Sequence, residues 1–154
     1  MTLDRIGRVL ASGFGSGFFP VAPGTAGSVV ALIIGAGLLH ASVWLLLLGC
    51  VLASLGGVWA VRRIGAAAAD PGWVVIDEFA GQWISLLGLP VWGWRGVLAA
   101  FVLFRLFDIA KPGPVGWVDR RKDAWGLMGD DIVAGGLAAL VLMAVGWAWP
   151  GLLG

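Results

Sequence analysis

Five stretches of apolar residues alternate with short polar stretches along this chain of 154 residues. They cover about residues 27–39, 43–61, 74–89, 96–109 and 132–149. These stretches are too long for barrel strands and lack strict alternation, so α-helices are the only plausible element. Only the second and the fifth approach the roughly 20 residues that cross a bilayer core unaided. The pattern predicts an all-α, multi-helical membrane bundle with about four to five apolar helices, and leaves the number of full crossings open.

Composition strengthens this prediction. Hydrophobic residues make up 60% of the chain and charged residues 12%, whereas an ordinary soluble domain has about 25% charged residues. So few polar residues cannot cover the surface of a soluble protein of this size. We therefore expect an integral membrane protein, and the length favours a single domain over residues 1–154. We expect no signal peptide, because the first residues contain no long apolar core that ends in a small-residue cleavage site.

The basic and acidic residues are distributed unevenly along the predicted bundle. If five helices alternate in direction, Arg95 is the one basic residue that falls on the far side, and all nine acids fall on the near side. Positive charge marks the cytoplasmic side of a membrane protein. The pattern thus predicts a cytoplasmic N-terminus, an external C-terminus and polar residues gathered at the cytoplasmic face.

Two short motifs open apolar stretches with paired acids, DEFAG at residues 77–81 and DDIVAG at residues 130–135. In each motif an aspartate precedes a glycine by four residues, which places both on one face of a helix. The glycine would let another backbone approach below the carboxylate. Helix capping explains one acid at a helix start, but it explains poorly a second acid beside the first.

A third motif, FRLFDIAKP at residues 104–112, spaces Arg105, Asp108 and Lys111 by three, so that they form a stripe on one side of a helix. One interpretation is a ladder of salt bridges. The other gives Asp108 to a metal ion and Arg105 or Lys111 to phosphate oxygens. Converging carboxylates favour a hard cation, preferably Mg²⁺; the candidate ligands are Asp77, Glu78, Asp108, Asp130 and Asp131.

Two further segments carry weaker signals. The segment GFGSGFFPVAPGTAGS at residues 13–28 is an irregular approach to a helix that Thr25 or Ser28 could cap, with free backbone N–H groups that favour an anion. The basic run in DRRKDAWGLMGDD at residues 119–131 is expected to fix topology, with Asp119 and Asp123 as solvated partners. The single histidine and the single cysteine, His40 and Cys50, are expected to be structural, which leaves metal-assisted hydrolysis as the route to phosphate chemistry.

Together these motifs resemble the bacterial phosphatidylglycerophosphatase A family. The stretches GFGSGFFPVAPGTAGS, DEFAGQWI, FRLFDIAKPGPVGWVDR and GLMGDDIVAG occur in the order and spacing of that family, over nearly the whole chain. The resemblance implies an all-helical fold with a central helix in the bacterial inner membrane. It also implies a Mg²⁺-dependent phosphatase that removes the terminal phosphate of phosphatidylglycerophosphate to give phosphatidylglycerol.

The motifs of the family place this chemistry on particular residues. The five acids, Asp77, Glu78, Asp108, Asp130 and Asp131, are expected to be catalytic and to hold Mg²⁺ while water attacks. The expected substrate-binding residues are Arg105, Lys111, Gly24, Thr25 and Ser28. We expect the substrate to come from the cytoplasmic leaflet, with membrane lipids as the other partners and no nucleic acid.

Two other functions remain open at this point. A Mg²⁺-dependent phospholipid-synthesising transferase would also be rich in acids, but its long aspartate–glycine–alanine–arginine signature is absent from the chain. A small cation transporter would need polar residues through the middle of the membrane. The two longest apolar stretches contain none beyond Ser54, which favours a site at one face.

Overall fold

The computed structural model describes residues 3–154 and confirms an all-α architecture, since this part of the chain contains helices and no β-strand. One short 3-10 turn, Ser16–Phe18, precedes the second helix. The helices are α1 (Leu3–Ala11), α2 (Pro23–Ala41), α3 (Val43–Arg63), α4 (Ile76–Leu86), α5 (Trp94–Ala110), α6 (Pro114–Asp119) and α7 (Ala124–Ala148).

Three of these helices, α2, α3 and α7, are long and apolar enough to cross a membrane. The composition of the chain and the length of its apolar helices therefore both identify it as a membrane protein. Helix α4 has 11 residues and spans roughly 16 Å at 1.5 Å per residue, which is too short to cross alone. Helix α5 has 17 residues and carries Arg105 and Asp108. The five-crossing arrangement stays a prediction.

Helix α4 is the central helix, as predicted. It packs against α2, α3, α5 and α7, and nine of its eleven residues are buried, including the polar Glu78, Gln82 and Ser85. The polar side chains below Glu78 form hydrogen bonds with each other and with the backbone. Gln82 Nε2 donates to Ser85 Oγ at 2.9 Å, and Ser85 Oγ donates to the Gln82 backbone carbonyl at 2.7 Å. Because α4 is short and is surrounded by longer helices, its first turn lies inside the bundle.

The bundle has two distinct ends. The end with the acidic residues contains the first turn of α4, the last turn of α5 and the beginning of α7. At the opposite end the His40 and Trp92 rings lie 4.8 Å apart, and the Gly96 backbone N–H donates to the Leu153 carbonyl at 3.0 Å. The charges of the central helices are thus gathered at one end of the fold.

The structure corrects the start of the last helix. Helix α7 begins at Ala124, and its N-cap is Asp123, whose carboxylate accepts the Gly126 N–H at 2.7 Å. Asp130 and Asp131 are therefore the seventh and eighth residues of α7 and do not open the helix. Because the helix is capped elsewhere, N-terminal capping cannot account for this acidic pair.

The start of α2 also differs from the expectation. The helix begins at Pro23, after Ala22 in a left-handed conformation (φ 48°) that makes no side-chain cap. Thr25 and Ser28 lie inside the helix and do not cap it. Proline suits a first helical position because its missing N–H would be unpaired there anyway. The Ser28 hydroxyl instead lies 3.0 Å from the Gly24 carbonyl oxygen.

Candidate active site

The two motifs with paired acids meet where α4 crosses α7. A side-chain carbon at Gly135 would collide with the Gly81 backbone, and one at Gly81 would lie 2.6 Å from the Asp131 carbonyl. Further along, Gly88 lies against the Ala139 backbone, so the two helices run in the same direction. As predicted from the four-residue spacing, each glycine lets the other backbone approach one turn below a carboxylate.

This crossing leaves a cavity of about 260 Å³ between the acidic ends of the helices and the loops around them. All five predicted acids line it, from α4, α5 and α7, so the structure brings together side chains that are up to 54 residues apart in the chain. The lining acids are Asp70, Asp77, Glu78, Asp108, Asp119, Asp130 and Asp131. The lining basic residues are Lys111, Arg121 and Lys122.

Asp131 is the most isolated of these acids. The residue is only 4% exposed, and no hydrogen bond or ion pair to its carboxylate is found in residues 3–154. Asp77 has one backbone partner, since its Oδ1 accepts the N–H of Glu78 at 3.0 Å. A nearly buried carboxylate without a partner is costly, and of the five predicted acids these two are the ones without a cation in residues 3–154.

Arg105 pairs with two of the acids that line the cavity. Its Nη1 lies 2.6 Å from Glu78 and 2.7 Å from Asp108, and it also donates to the Ser28 hydroxyl at 3.3 Å. Arg105 does not line the cavity. The salt-bridge interpretation of the stripe therefore describes this residue, and its proposed contact with phosphate stays a prediction.

Glu78 is held by two neighbouring donors. The Ser28 hydroxyl donates to Glu78 Oε2 at 2.5 Å, and Arg105 Nη1 donates to the same oxygen at 2.6 Å. Gly24 makes room for the carboxylate, because a side-chain carbon there would lie 2.5 Å from Glu78 Oε1. Ser28 and Gly24 thus position a cavity acid, although only Gly24 also lines the cavity.

Lys111 leaves the predicted stripe because it ends α5 in a left-handed conformation, with φ 46°. Its ammonium group lies 2.8 Å from Asp130 and also pairs with Asp119. Burial alone would lower the pKa of Lys111, but hydrogen bonds to these two acids hold it above its ordinary value. The same contact lowers the pKa of Asp119. Asp119 is therefore part of the cavity wall rather than the solvated residue expected from the sequence.

For the remaining residues, the structure differs from the expectation in which of them line the cavity. Thr25 is exposed and lies outside the lining, so nothing in the geometry supports its proposed contact with substrate. Arg121 and Lys122 do line the cavity, whereas the sequence predicted for them a role in topology and contact with anionic lipid head groups. Their position directly before a helix that carries two acids was the available signal. Asp123 is exposed and pairs with Arg121 at 2.7 Å, as expected of a solvated partner, and it also caps α7.

The donor set fits a hard divalent cation in its chemistry. Seven lining acids outnumber three lining bases, and carboxylate oxygens are the ligands that Mg²⁺ and Ca²⁺ prefer. In residues 3–154, however, no group of three acidic, histidine or cysteine side chains already converges closely enough to hold a metal ion. Ligation by these acids would therefore require their side chains to move closer together. The site fits such a cation chiefly because two of its carboxylates, those of Asp77 and Asp131, lack a protein cation.

Comparison with known proteins agrees with this arrangement. The family described as Phosphatidylglycerophosphatase A matches residues 9–146. The chain is 40% identical to Phosphatidylglycerophosphatase A of Escherichia coli, covering 93% of this chain and 85% of the relative. It is also 40% identical to the protein of the same name from Haemophilus influenzae, covering 90% and 87%.

A relative with a different name is equally similar. A putative phosphatidylinositol-3-phosphatase of Bacteroides thetaiotaomicron is 40% identical over 148 residues, covering 90% of this chain and 92% of the relative. No solved structure matches the chain significantly. The family match covers the cavity-lining acids of α4, α5 and α7. The chain therefore belongs to the phosphatidylglycerophosphatase A family.

Proposed function

We propose that this protein is a phosphatase that hydrolyses the terminal phosphomonoester of phosphatidylglycerophosphate to phosphatidylglycerol and phosphate. The observation that carries the proposal is the cavity where the acids of α4 and α7 meet, at the polar end of a membrane bundle. Family membership supports the substrate class, and the apolar helices around the cavity suit a lipid whose acyl chains stay in the bilayer.

Charge decides how such a substrate can enter. A phosphomonoester carries nearly two negative charges at neutral pH, and the lining acids repel it. Arg121 and Lys122 lie on the loop before α7 and line the cavity, where they can attract the phosphate group. Lys111 can turn from Asp130 toward a phosphate oxygen, since a lysine side chain is a flexible point charge.

We infer that Mg²⁺ supplies the remaining positive charge. Asp77 and Asp131 would be its first ligands, because their carboxylates lack a protein cation, with Asp108, Asp130 and Glu78 beside them. When bound, Mg²⁺ would neutralise phosphate oxygens and activate the attacking water. Arg105 holds Glu78 and Asp108 in place, and Lys111 holds Asp130 against Asp119.

We further propose that the cavity faces the cytoplasm of a bacterial inner membrane. The support is the distribution of basic residues, since Arg62, Arg63 and the run at residues 120–122 all lie at the cavity end. Arg95 lies at the other end of α5. Positive charge is enriched on the cytoplasmic side. The substrate would then be taken from the cytoplasmic leaflet.

The test is phosphate release by purified protein in detergent micelles. The substrates are phosphatidylglycerophosphate, phosphatidylinositol 3-phosphate and phosphatidic acid, each with Mg²⁺, with EDTA, and with EDTA followed by excess Mg²⁺. We expect rapid release from phosphatidylglycerophosphate, loss with EDTA and recovery with Mg²⁺. Preference for the inositol lipid would assign the chain the activity named for the Bacteroides relative, and EDTA-resistant release would rule out the metal.

A further inference from the structure

A second cavity lies on the side of α4 that faces away from the acids. Ile76, Phe79 and Trp83 form one wall of an apolar groove of about 580 Å³ between α2, α3 and α4. Its volume is in the range of small-molecule sites, about 300–1,000 Å³. Asp77 and Glu78 face the acidic cavity, and the two cavities share no lining residue. The groove is thus separate from the proposed active site.

The groove extends along α3 and opens to the surrounding membrane. Its lining on α3 runs from Leu45 to Gly57, roughly 18 Å at 1.5 Å per residue. Leu48 and Leu52 are 54% and 62% exposed, on a helix that is long and apolar enough to span. Gly49, Gly56 and Gly57 remove side chains from the same wall. An elongated apolar molecule that is already in the bilayer can enter sideways.

The polar end of the groove connects to a basic notch, which we define by Arg5, Arg8, Ser12, Phe14 and Phe18. The notch has a volume of about 420 Å³ and contains no acid in its lining. Phe14 lines both the notch and the groove. In residues 3–154 neither arginine forms an ion pair with an acid. Arg8 instead lies over the Trp73 ring, 5.3 Å from its centre.

Phe14 lies at the junction between the notch and the groove. It adopts a left-handed backbone conformation with φ 57°, which is unfavourable by roughly 1–2 kcal/mol for a residue with a side chain. Its ring is nevertheless 66% exposed and touches Phe79 only by an edge, with ring centres 6.4 Å apart. An exposed aromatic ring between a basic and an apolar cavity matches the boundary between a lipid head group and its chains.

We propose that the basic notch and the apolar groove together bind one anionic diacyl phospholipid. The head-group phosphate lies against Arg5 and Arg8, and one acyl chain lies in the groove along α3. Charge complementarity favours an anionic lipid, and the continuity of the two cavities through Phe14 favours a molecule with one polar and one long apolar part. This site does not depend on the proposed phosphatase activity.

The test uses native mass spectrometry of the purified chain in mixed micelles with phosphatidylserine or phosphatidylcholine of identical acyl chains. Phosphatidylserine is anionic and is neither substrate nor product of the proposed reaction. We expect one retained phosphatidylserine and weaker retention of phosphatidylcholine. The variant Arg5→Gln/Arg8→Gln should lose about 5-fold in phosphatidylserine affinity for each arginine. The matched control is Arg95→Gln, which also removes an arginine that lies over a tryptophan ring, and it should retain the preference.

A second pair of variants tests the groove. A side-chain carbon at Gly56 meets no atom within 4 Å, and the residue lines the groove, so Gly56→Leu fills the groove without a backbone clash. Gly37 is equally unobstructed but lies outside the groove. We expect Gly56→Leu to release both lipids and Gly37→Leu to keep them. Three results would overturn the proposal. The first is equal retention of the two lipids by the unmodified chain, and the second is unchanged binding in the arginine variant. The third is a Gly56→Leu variant that keeps its lipid.

Discussion

Asp131 is the acid of the candidate site whose charge the protein itself compensates least. It is nearly buried on α7 and has no basic partner in the described structure, unlike Glu78 beside Arg105. Asp131→Asn keeps the shape of the side chain and removes its charge. We expect phosphate release to fall by at least about 100-fold, or about 2.7 kcal/mol in activation free energy, while the thermal midpoint holds or rises.

The matched control is Asp4→Asn, which removes an exposed acid that pairs with Arg63 at 3.0 Å, outside the cavity. It should retain full activity. Both variants are measured for kcat and KM across a Mg²⁺ titration and for thermal unfolding. Normal turnover by the Asp131 variant would show that this carboxylate holds no metal ion.

Arg105 leads to a different prediction because its guanidinium group forms ion pairs with two buried acids. Arg105→Gln leaves Glu78 and Asp108 without their cation, and removing one partner of a buried ion pair costs about 3–5 kcal/mol. We expect a clear drop in the thermal midpoint. The double variant Arg105→Gln/Glu78→Gln should recover much of the stability and none of the activity. A single variant as stable as the unmodified chain would mean that the ion pair contributes little.

These residues show what the sequence could reveal about the site. The acids could be predicted because paired carboxylates in a chain with so few charges are conspicuous, and all five line the cavity. The pairing of Arg105 with Asp108 was one interpretation of the stripe, but the other partners of Arg105 and Lys111 could not be predicted. Arg105 pairs with an acid 27 residues away on another helix, and Lys111 reaches Asp119 only because α5 ends in a left-handed turn.

At the level of helices, the Gly81–Gly135 crossing sets the distance between Asp77 and Asp131. Gly135→Ala places a methyl group into the Gly81 backbone, and overpacking of this kind costs about 1–3 kcal/mol. We expect the thermal midpoint and the activity to fall together, because α4 and α7 must separate.

The neighbouring residue provides the control. A side-chain carbon at Gly136 meets no atom within 4 Å, so Gly136→Ala should keep full activity and unchanged or slightly higher stability, since alanine favours a helix over glycine. Equal effects of the two substitutions on phosphate release and thermal unfolding would show that the crossing does not set the geometry of the site.

Helix boundaries followed local chemistry more than hydropathy, and this explains where the sequence prediction was wrong. The apolar stretch near the C-terminus begins after Asp131, but α7 begins at Ala124, because a helix can continue through charged residues that are paired or line a cavity. The N-cap aspartate before Ala124 was a usable signal, as was Pro23 at the start of α2.

For the molecule as a whole, the orientation in the membrane gives the most direct prediction. In a Cys50→Ala background, single cysteines at Arg62 and Arg95 mark the two ends of the bundle. We expect a membrane-impermeant thiol reagent to reach the Arg95 position in intact cells and the Arg62 position only in inverted vesicles. Labelling of both positions from the same side would refute the proposed crossing pattern.

The all-α class and the central helix followed from apolar stretches and from the family resemblance, and the structure confirms both. The number of crossings could not be derived, because α4 and α5 carry their charges inside the bundle. There the neighbouring helices, rather than lipid, form their surroundings. Hydropathy measures preference for lipid and cannot separate a buried short helix from a spanning one.

The position of Asp131 within α7 also has a consequence for the choice of membrane. Only 17 residues follow it in the helix, roughly 25 Å, against a hydrocarbon core of about 30 Å. With Asp131 at the level of the lipid head groups, as the proposed orientation implies, the bilayer would have to become thinner around the carboxylates, at a fraction of a kcal/mol per ångström. We therefore expect vesicles made from longer acyl chains to slow phosphate release and vesicles made from shorter chains to speed it up.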